Sequence, residues 1–480
     1  MPTKKRVLFF SPFNSPPIFL GLNLEFLQKE INEGNETFFI DCNKTFNTCG
    51  FNTYGLKYMC EICVERFQQN SKYISGHYNK LSLRDIIDDS DETYAMEKLN
   101  PIEEIQNDLI IDGFDVGESV YSSFISKTKE KNFSTPADRQ ILKELAFHTL
   151  IIHRAIKRFI IKNNIDKLIL FNGRWDYYRA ALSAARSQNL EIQVIENYRT
   201  GGYYQVFGNA FPHDSKIHNE LINTHWNSEP DLALKQKLAH EFFLKKRKGV
   251  ALIDKSFTSD QTQGHIPSYI DTTKKLIVIY NSSDIEFEAV GKEYYNPFFK
   301  DQASSILYVA ELVSLKKDFQ LVIRFHPNLK GLKRDYLEPI YDLKGKYSNV
   351  FVIPPEDQTD SYALMDQAYK VVTRVSTMGI EASYWGKPVI LLGKSIYTPG
   401  DVTYLPQSVE QFPDLLFNDL EPKPKVNAEK YGYYYMTGGI KAEYFNSDSN
   451  GYYFKQNNLG KFSKRFKLYY KILKLFKIKN

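Results

Sequence analysis

Apolar positions in this chain fall in short blocks whose period changes from one stretch to the next. Residues 7–10 (Val-Leu-Phe-Phe) form a short apolar run between charged and polar flanks, the pattern of a buried strand. Helical spacing follows over 23–32, and a second strand-like run over 37–41. Strand, helix, strand is the opening of a parallel α/β sheet. Residues 67–135 keep no period and read as helices and loops. The longest helical period covers 137–163, after which 167–171, 176–188 and 191–196 repeat strand, helix, strand. Residues 215–270 read as a helical connector with a polar end at 258–267 that carries Gly and Pro.

A second series begins at 276. Strands are predicted at 276–280, 321–325, 350–353, 371–373 and 388–392, and helices at 302–315, 333–344, 362–367 and 378–385. Five strands alternating with helices make a Rossmann-like unit. A chain of 480 residues also exceeds what one hydrophobic core supports. The expected fold is therefore α/β with two Rossmann-like domains, residues 1–270 and 271–460. The first carries a cysteine-bearing insertion at 42–66 and the connector at 215–270.

Charge changes this picture at one end only. The formal net charge is +5. Residues 461–480 hold eight Lys or Arg and no acid, and removing those eight charges from +5 leaves −3. The basicity is a tail, not a face, which argues against a nucleic-acid-binding surface. Phe462, Phe466, Tyr469, Leu473 and Phe476 recur every three or four residues in it. That spacing predicts a basic amphipathic C-terminal helix, lying on an anionic membrane surface or docked on the protein's own body. No apolar run nears the roughly 20 residues of a membrane span. The run 7–10 is too short for a signal peptide. The expected location is the cytoplasm, peripherally on the inner face of the cell membrane.

Ligands of doubly wound sheets sit beyond the carboxyl ends of the strands. Three motifs fall at such ends. Tyr280-Asn281-Ser282-Ser283-Asp284 follows the first strand of the second domain. Arg324-Phe325-His326-Pro327-Asn328 closes the next, where His326 can donate to a phosphate or steady a leaving group and Arg324 can hold an anion. Ser376-Thr377-Met378-Gly379-Ile380-Glu381 opens a helix. Its hydroxyls and backbone N–H groups suit a phosphate, Gly379 permits close approach, and Glu381 can accept ribose hydroxyls. Each motif alone also reads as an ordinary cap or turn.

Taken in order, YNSSD, RFHPN and STMGIEASYWGKPVILLG resemble bacterial capsule-polysaccharide synthesis proteins, a group related to Kdo transferases, polysialyltransferases and CDP-glycerol transferases of GT-B fold. The resemblance is strongest over 274–400 and continues more weakly at Phe171-Asn172-Gly173-Arg174 and Pro212-His213-Asp214. It implies two domains facing across a cleft and a glycosyltransferase, inverting and metal-independent. The donor is a CMP- or NDP-linked sugar, and the acceptor a capsule- or lipopolysaccharide-type chain. It also implies donor binding by His326, Ser376, Thr377 and Glu381; Ser282, Ser283, Arg324 and Gly379 complete the candidate set. The alternatives are a non-hydrolysing sugar-nucleotide 2-epimerase, whose D-S-G-G-x-x-E-E stretch is not matched, and a non-catalytic scaffold of a polysaccharide assembly complex.

Inverting transfer needs a base for the acceptor hydroxyl. Relatives carry a D/E-D/E-G motif, to which Ile111-Asp112-Gly113 is the nearest match. Asp112 is thus the first candidate, beside Asp115, Glu118, Asp176 and Glu196. Arg174 and Glu196, at strand ends, are candidates for acceptor binding.

All four cysteines, Cys42, Cys49, Cys60 and Cys63, lie within 22 residues. Four thiols on one insertion suggest a structural zinc knuckle first, an iron–sulfur cluster second, and free or disulfide-bonded cysteines third.

Overall fold

The computed structural model describes residues 4–130, 133, 135–250, 260–294, 296, 298–331 and 335–475, with the side chains of 284, 286 and 471–475 outside the description. The chain forms two compact units: Met1–Pro212 with Gly439–Asn480, and His213–Gly438.

The first unit is built on β1 (Arg6–Ser11), β2 (Glu36–Asp41), β3 (Asn79–Ser82), β4 (Lys167–Phe171), β5 (Glu191–Arg199) and β6 (Tyr203–Gly208). Five of them run parallel in the order β3-β2-β1-β4-β5, and β6 pairs antiparallel with β5. Val7–Phe10 are fully buried, so the run is apolar at every position rather than alternating. The predicted long helix is Pro136–Lys162. Thr135 starts it: its side chain accepts from Asp138 N while the Asp138 side chain accepts from Thr135 N, with Pro136 at the first position. Two strands were not predicted. β3 is a short edge strand of mixed polarity, Asn-Lys-Leu-Ser. β6 returns from β5 through Gly201 and Gly202, both at positive φ.

The second unit is built on β7 (Lys275–Tyr280), β8 (Phe319–Arg324), β9 (Val350–Ile353), β10 (Lys370–Thr373) and β11 (Val389–Leu391). All pair parallel in the order β11-β10-β7-β8-β9. Written from the first strand, this is the 3-2-1-4-5 order of nucleotide-binding sheets. Side chains alternate between two cores: Ile277, Ile279, Leu321 and Ile323 enter one, Leu276, Val278 and Val322 the other. Both faces are covered, which is why these strands read as unbroken apolar runs. The helix expected at 333–344 is reduced to Glu338–Tyr341, with 332–334 outside the described residues.

The domain boundary differs from the expected one. Helices Ser215–Ser228 and Leu232–Arg247 belong to the second unit, not to an N-terminal domain ending at 270. Trp226 and Ala239 pack there against Tyr433, on a helix (Lys425–Thr437) some two hundred residues later. Such a partnership leaves no local trace. The expected second domain, 271–460, likewise ends early, because the chain leaves the second unit after Gly438.

Residues after 438 return to the first unit. β12 (Ile440–Lys441) extends its sheet beside β6, and β13 (Phe445–Asp448), β14 (Gly451–Phe454) and β15 (Asn457–Asn458) form a small antiparallel sheet. Glu25, fully buried, accepts the backbone N–H groups of Glu443, Tyr444 and Phe445 at 2.8, 2.7 and 2.9 Å. A Cβ on Gly21 would stand 2.4 Å from the Phe445 ring, so the contact requires glycine. The tail forms the helix Lys464–Leu475. Phe466 is buried, Tyr470 meets Tyr58, and Arg66 lies over the Phe462 ring, so this end of the stripe rests on the first unit's own helix Lys57–Asn70. Leu468 and Tyr469 are exposed. Phe476 and the Leu473 side chain lie outside the description. No helix among the described residues is long and apolar enough to cross a membrane.

Candidate functional site

The second unit holds a cavity of about 400 Å³ where β7, β8 and β10 end. A nucleotide-sized ligand fits such a volume. His326, Arg324, Ser282, Ser283, Ser376, Thr377 and Glu381 all line it, so three motifs separated by some fifty residues each converge on one site. Gly379 does not line it.

His326 follows β8. Its backbone N–H donates to Asn281 Oδ1 at 2.6 Å, tying the end of β8 to that of β7. Its Nδ1 accepts from Asn328 N at 3.2 Å, which leaves the ring proton on Nε2. Burial pushes its pKa down to about 4, so the ring is neutral at pH 7 and acts by hydrogen bonding rather than charge.

Ser282 is held in place by Gln302, whose Oε1 accepts from its N (2.9 Å) and Oγ (3.1 Å). Asn281 is 1 % exposed, and its Nδ2 meets no acceptor among the described residues. A buried, unsatisfied donor on the cavity wall is what a ligand oxygen would satisfy. Ser376 Oγ accepts from Met378 N at 3.3 Å, whereas Thr377 is exposed and caps nothing.

Three candidates have partners that alter their expected roles. Arg324 directs one Nη to Pro354 O and the other to Asp357 O at 3.0 Å. It braces the loop after β9 from a position 1 % exposed. Gly379 sits under Tyr397: a Cβ there would lie 2.4 Å from the tyrosine hydroxyl, which donates to Ser376 O at 2.8 Å. Glycine is needed there for packing, and the expectation of close phosphate approach is corrected. Glu381 accepts a short hydrogen bond from Tyr362. Burial, and then the Glu381 charge, push the Tyr362 hydroxyl far above its ordinary value.

Lys246 also lines the cavity and was not foreseen, since its helix carries no ligand motif. It adds an amine to the cavity lining. Asn281 and Asn328 were inside the quoted motifs, yet only the fold reveals their contacts to His326.

In the first unit the candidate acids are sorted by their partners. Asp112 is exposed, accepts from Tyr94 OH (2.5 Å) and Lys98 Nζ (3.1 Å), and is held below the usual carboxylate range by those bonds. That makes it a weak base. Asp115 and Glu118 both pair with Arg179. Asp176, fully buried, accepts from Gly50 N at 2.7 Å. Glu196 differs. It accepts from Asn172 Nδ2 at 2.6 Å and Asn197 N at 3.0 Å, and burial nonetheless raises it to about 7. Arg174, after β4, donates to Ser122 Oγ at 2.8 Å and lies over Trp175. Burial lowers it to about 10, opposed by the Glu196 charge.

Residues 299–412 match the family described as capsule polysaccharide biosynthesis protein. A UDP-N-acetylglucosamine 2-epimerase of Salmonella typhimurium is 24 % identical over 153 residues, which are 31 % of this chain and 36 % of that enzyme. The chain therefore aligns with about a third of the curated relative it matches. Among solved structures, the Thermosulfurimonas dismutans KpsC β-Kdo 2,4-transferase is 14 % identical, covering 56 % of this chain and 79 % of that one, with a TM-score of 0.37. A Neisseria meningitidis UDP-GlcNAc 2-epimerase bound to UDP-GlcNAc is 15 % identical, covering 89 % and 98 %, with a TM-score of 0.27. The α/β fold rests on the two sheets described above, one wholly parallel and one mixed, not on these low scores.

Proposed function

We propose that this protein is a glycosyltransferase that moves a sugar or sugar acid from a nucleotide-activated donor to a capsule- or lipopolysaccharide-type chain, a reading supported by the match of residues 299–412 to the capsule polysaccharide biosynthesis protein family. One observation carries the reading: His326, Ser282, Ser376 and the unsatisfied Asn281 Nδ2 line a single cavity at the switch point of a 3-2-1-4-5 sheet. Neutral His326 donates Nε2–H to a donor phosphate, the serine hydroxyls and Lys246 share its charge, and the group departs without a bound metal. Glu196 rather than Asp112 or Asp176 deprotonates the acceptor in an inverting step, since a base serves best with a pKa near the working pH, and Asp176, raised equally, is fully buried. The basic tail adds attachment to anionic lipid at the inner face of the cell membrane.

A thermal-shift screen with CMP, CDP, UDP, GDP and dTDP tests the site, because stabilisation reaches about 2.7 kcal/mol at a hundredfold excess over Kd. One of them should raise the melting temperature, and His326→Ala should weaken that nucleotide roughly 10-fold or more, the loss of one hydrogen bond to a charged group. Absence of any shift would count against a donor site. Acceptor-independent interconversion of UDP-GlcNAc at C2 would favour an epimerase instead.

A further inference from the structure

The cysteine-bearing loop is held by side chains rather than by regular structure: Tyr177 OH donates to Thr48 O at 2.5 Å, Gly50 N donates to Asp176 at 2.7 Å, and Phe46 stacks on His148. Residues 42–56 contain no helix and only the isolated bridge between Cys49 and Asn52. Ungrouped loops of this length inside compact domains are uncommon unless functional or stapled. Asn52 supplies part of the order, bonding Asn47 O and Leu56 O at 3.1 Å each and accepting from Leu56 N at 2.8 Å. The four cysteines are free, and all four line one small cavity of about 30 Å³ beside Phe13 and Met59.

Two independent features of that cavity point to an ion. Two of the sulfurs accept an N–H: Cys63 from Asn14 N at 3.1 Å and Cys60 from Asn52 Nδ2 at 3.4 Å. Outer donors of this kind orient and stabilise metal-bound ligands. The charges are also arranged for it. Lys44, itself paired with Glu61 at 2.6 Å, stands near Cys60, and Arg66 stands near Cys63, so cations border two of the four sulfurs. Asp41 and Asp176 face the cluster as well and oppose a bare thiolate set, which a divalent ion relieves.

We propose that Cys42, Cys49, Cys60 and Cys63 together hold one zinc ion in a closed tetrahedral site that fastens the loop after β2 to the helix Lys57–Asn70. Cys60 and Cys63 lie one turn apart on the same face of that helix. Among the described residues no three His, Cys, Asp or Glu side chains already converge on one point. Ligation therefore turns the thiols inward, by rotation about their Cα–Cβ bonds, toward the cavity they share. The site is structural, since four protein ligands leave no position for substrate. Gly50, next to Cys49, donates to the buried Asp176 at the start of the helix after β4, so the ion also steadies the turn carrying Asn172 and Arg174.

The test is metal analysis of the full chain purified anaerobically without chelator. About one zinc per chain is expected, released when a mercurial blocks the thiols. Exchange with Co²⁺ should give the sulfur-to-cobalt charge-transfer bands of a tetrahedral thiolate site, and Cys60→Ser should abolish them. The cobalt spectrum of the unaltered chain needs no variant to fold. A folded, metal-free protein that shows no thiolate band with Co²⁺ overturns the proposal. So does a brown protein containing iron and acid-labile sulfide.

Discussion

Asn172 donates its side-chain amide to Glu196 at 2.6 Å, joining the residue after β4 to the neighbouring strand β5. Asn172 does so from a left-handed backbone conformation, φ +59°, that asparagine tolerates better than most residues. The bond favours an ionised Glu196, but burial outweighs it and the carboxyl titrates near pH 7.

The raised value has a stability consequence with a definite sign. The folded state holds the Glu196 proton more tightly than the unfolded state, where glutamate titrates near its model value of 4.5. Stability from this group is fully present below that value and is lost as pH rises through about 7. The loss is of order 1–2 kcal/mol after allowing for partial exposure. Glu196→Gln should flatten the fall in melting temperature between pH 5 and pH 8. It should also lower transfer roughly 10²–10⁴-fold while leaving nucleotide affinity in place. A variant that keeps the wild-type pH profile of both stability and rate would remove Glu196 from both roles.

Tyr362→Phe tests the partnership with Glu381. Deleting the hydroxyl leaves a buried carboxylate oxygen without its donor, which costs about 1–3 kcal/mol. A bound ribose would supply a replacement donor. The destabilisation measured by urea unfolding should therefore shrink when the preferred nucleotide is present at saturation. Equal destabilisation with and without nucleotide would separate Glu381 from the ligand.

Phe466 separates the tail's two possible contacts. It is buried and stacks on Tyr470, which meets Tyr58 of the helix Lys57–Asn70, so Phe466→Ala should destabilise the first unit by about 3 kcal/mol, the low end for a buried phenylalanine. Its effect on liposome flotation should be small. Replacing the exposed Lys464, Arg465 and Lys467 with Glu should do the reverse, abolishing flotation with anionic vesicles and sparing stability. Flotation unchanged by that charge reversal would rule out attachment through the tail.

The second unit was legible because its strands, buried on both faces, are unbroken apolar runs, and because its three cavity-lining motifs sit within a few positions of strand ends. His326 and Ser376 could be placed from that rule alone. What escaped notice depends on partners distant in the chain. Lys246 reaches the cavity from a helix without a motif, and the domain boundary was set at 270 because the match of Trp226 and Ala239 to Tyr433 has no local sign. Side-chain allegiance was the least readable. Arg324 and Gly379 stand where ligand residues stand, but one braces backbone carbonyls and the other makes room for Tyr397.

The three amides that Glu25 receives come from residues 443–445, synthesised after the whole of the second unit. A nascent chain that has just completed Gly438 therefore carries, beside the bare Gly21 groove, a Glu25 carboxylate whose three backbone donors have yet to be made. The second unit, continuous from His213 to Gly438, has all its residues available earlier. Here the usual order of synthesis is inverted: the later domain is ready to close first, and the earlier one waits for the last segment to emerge.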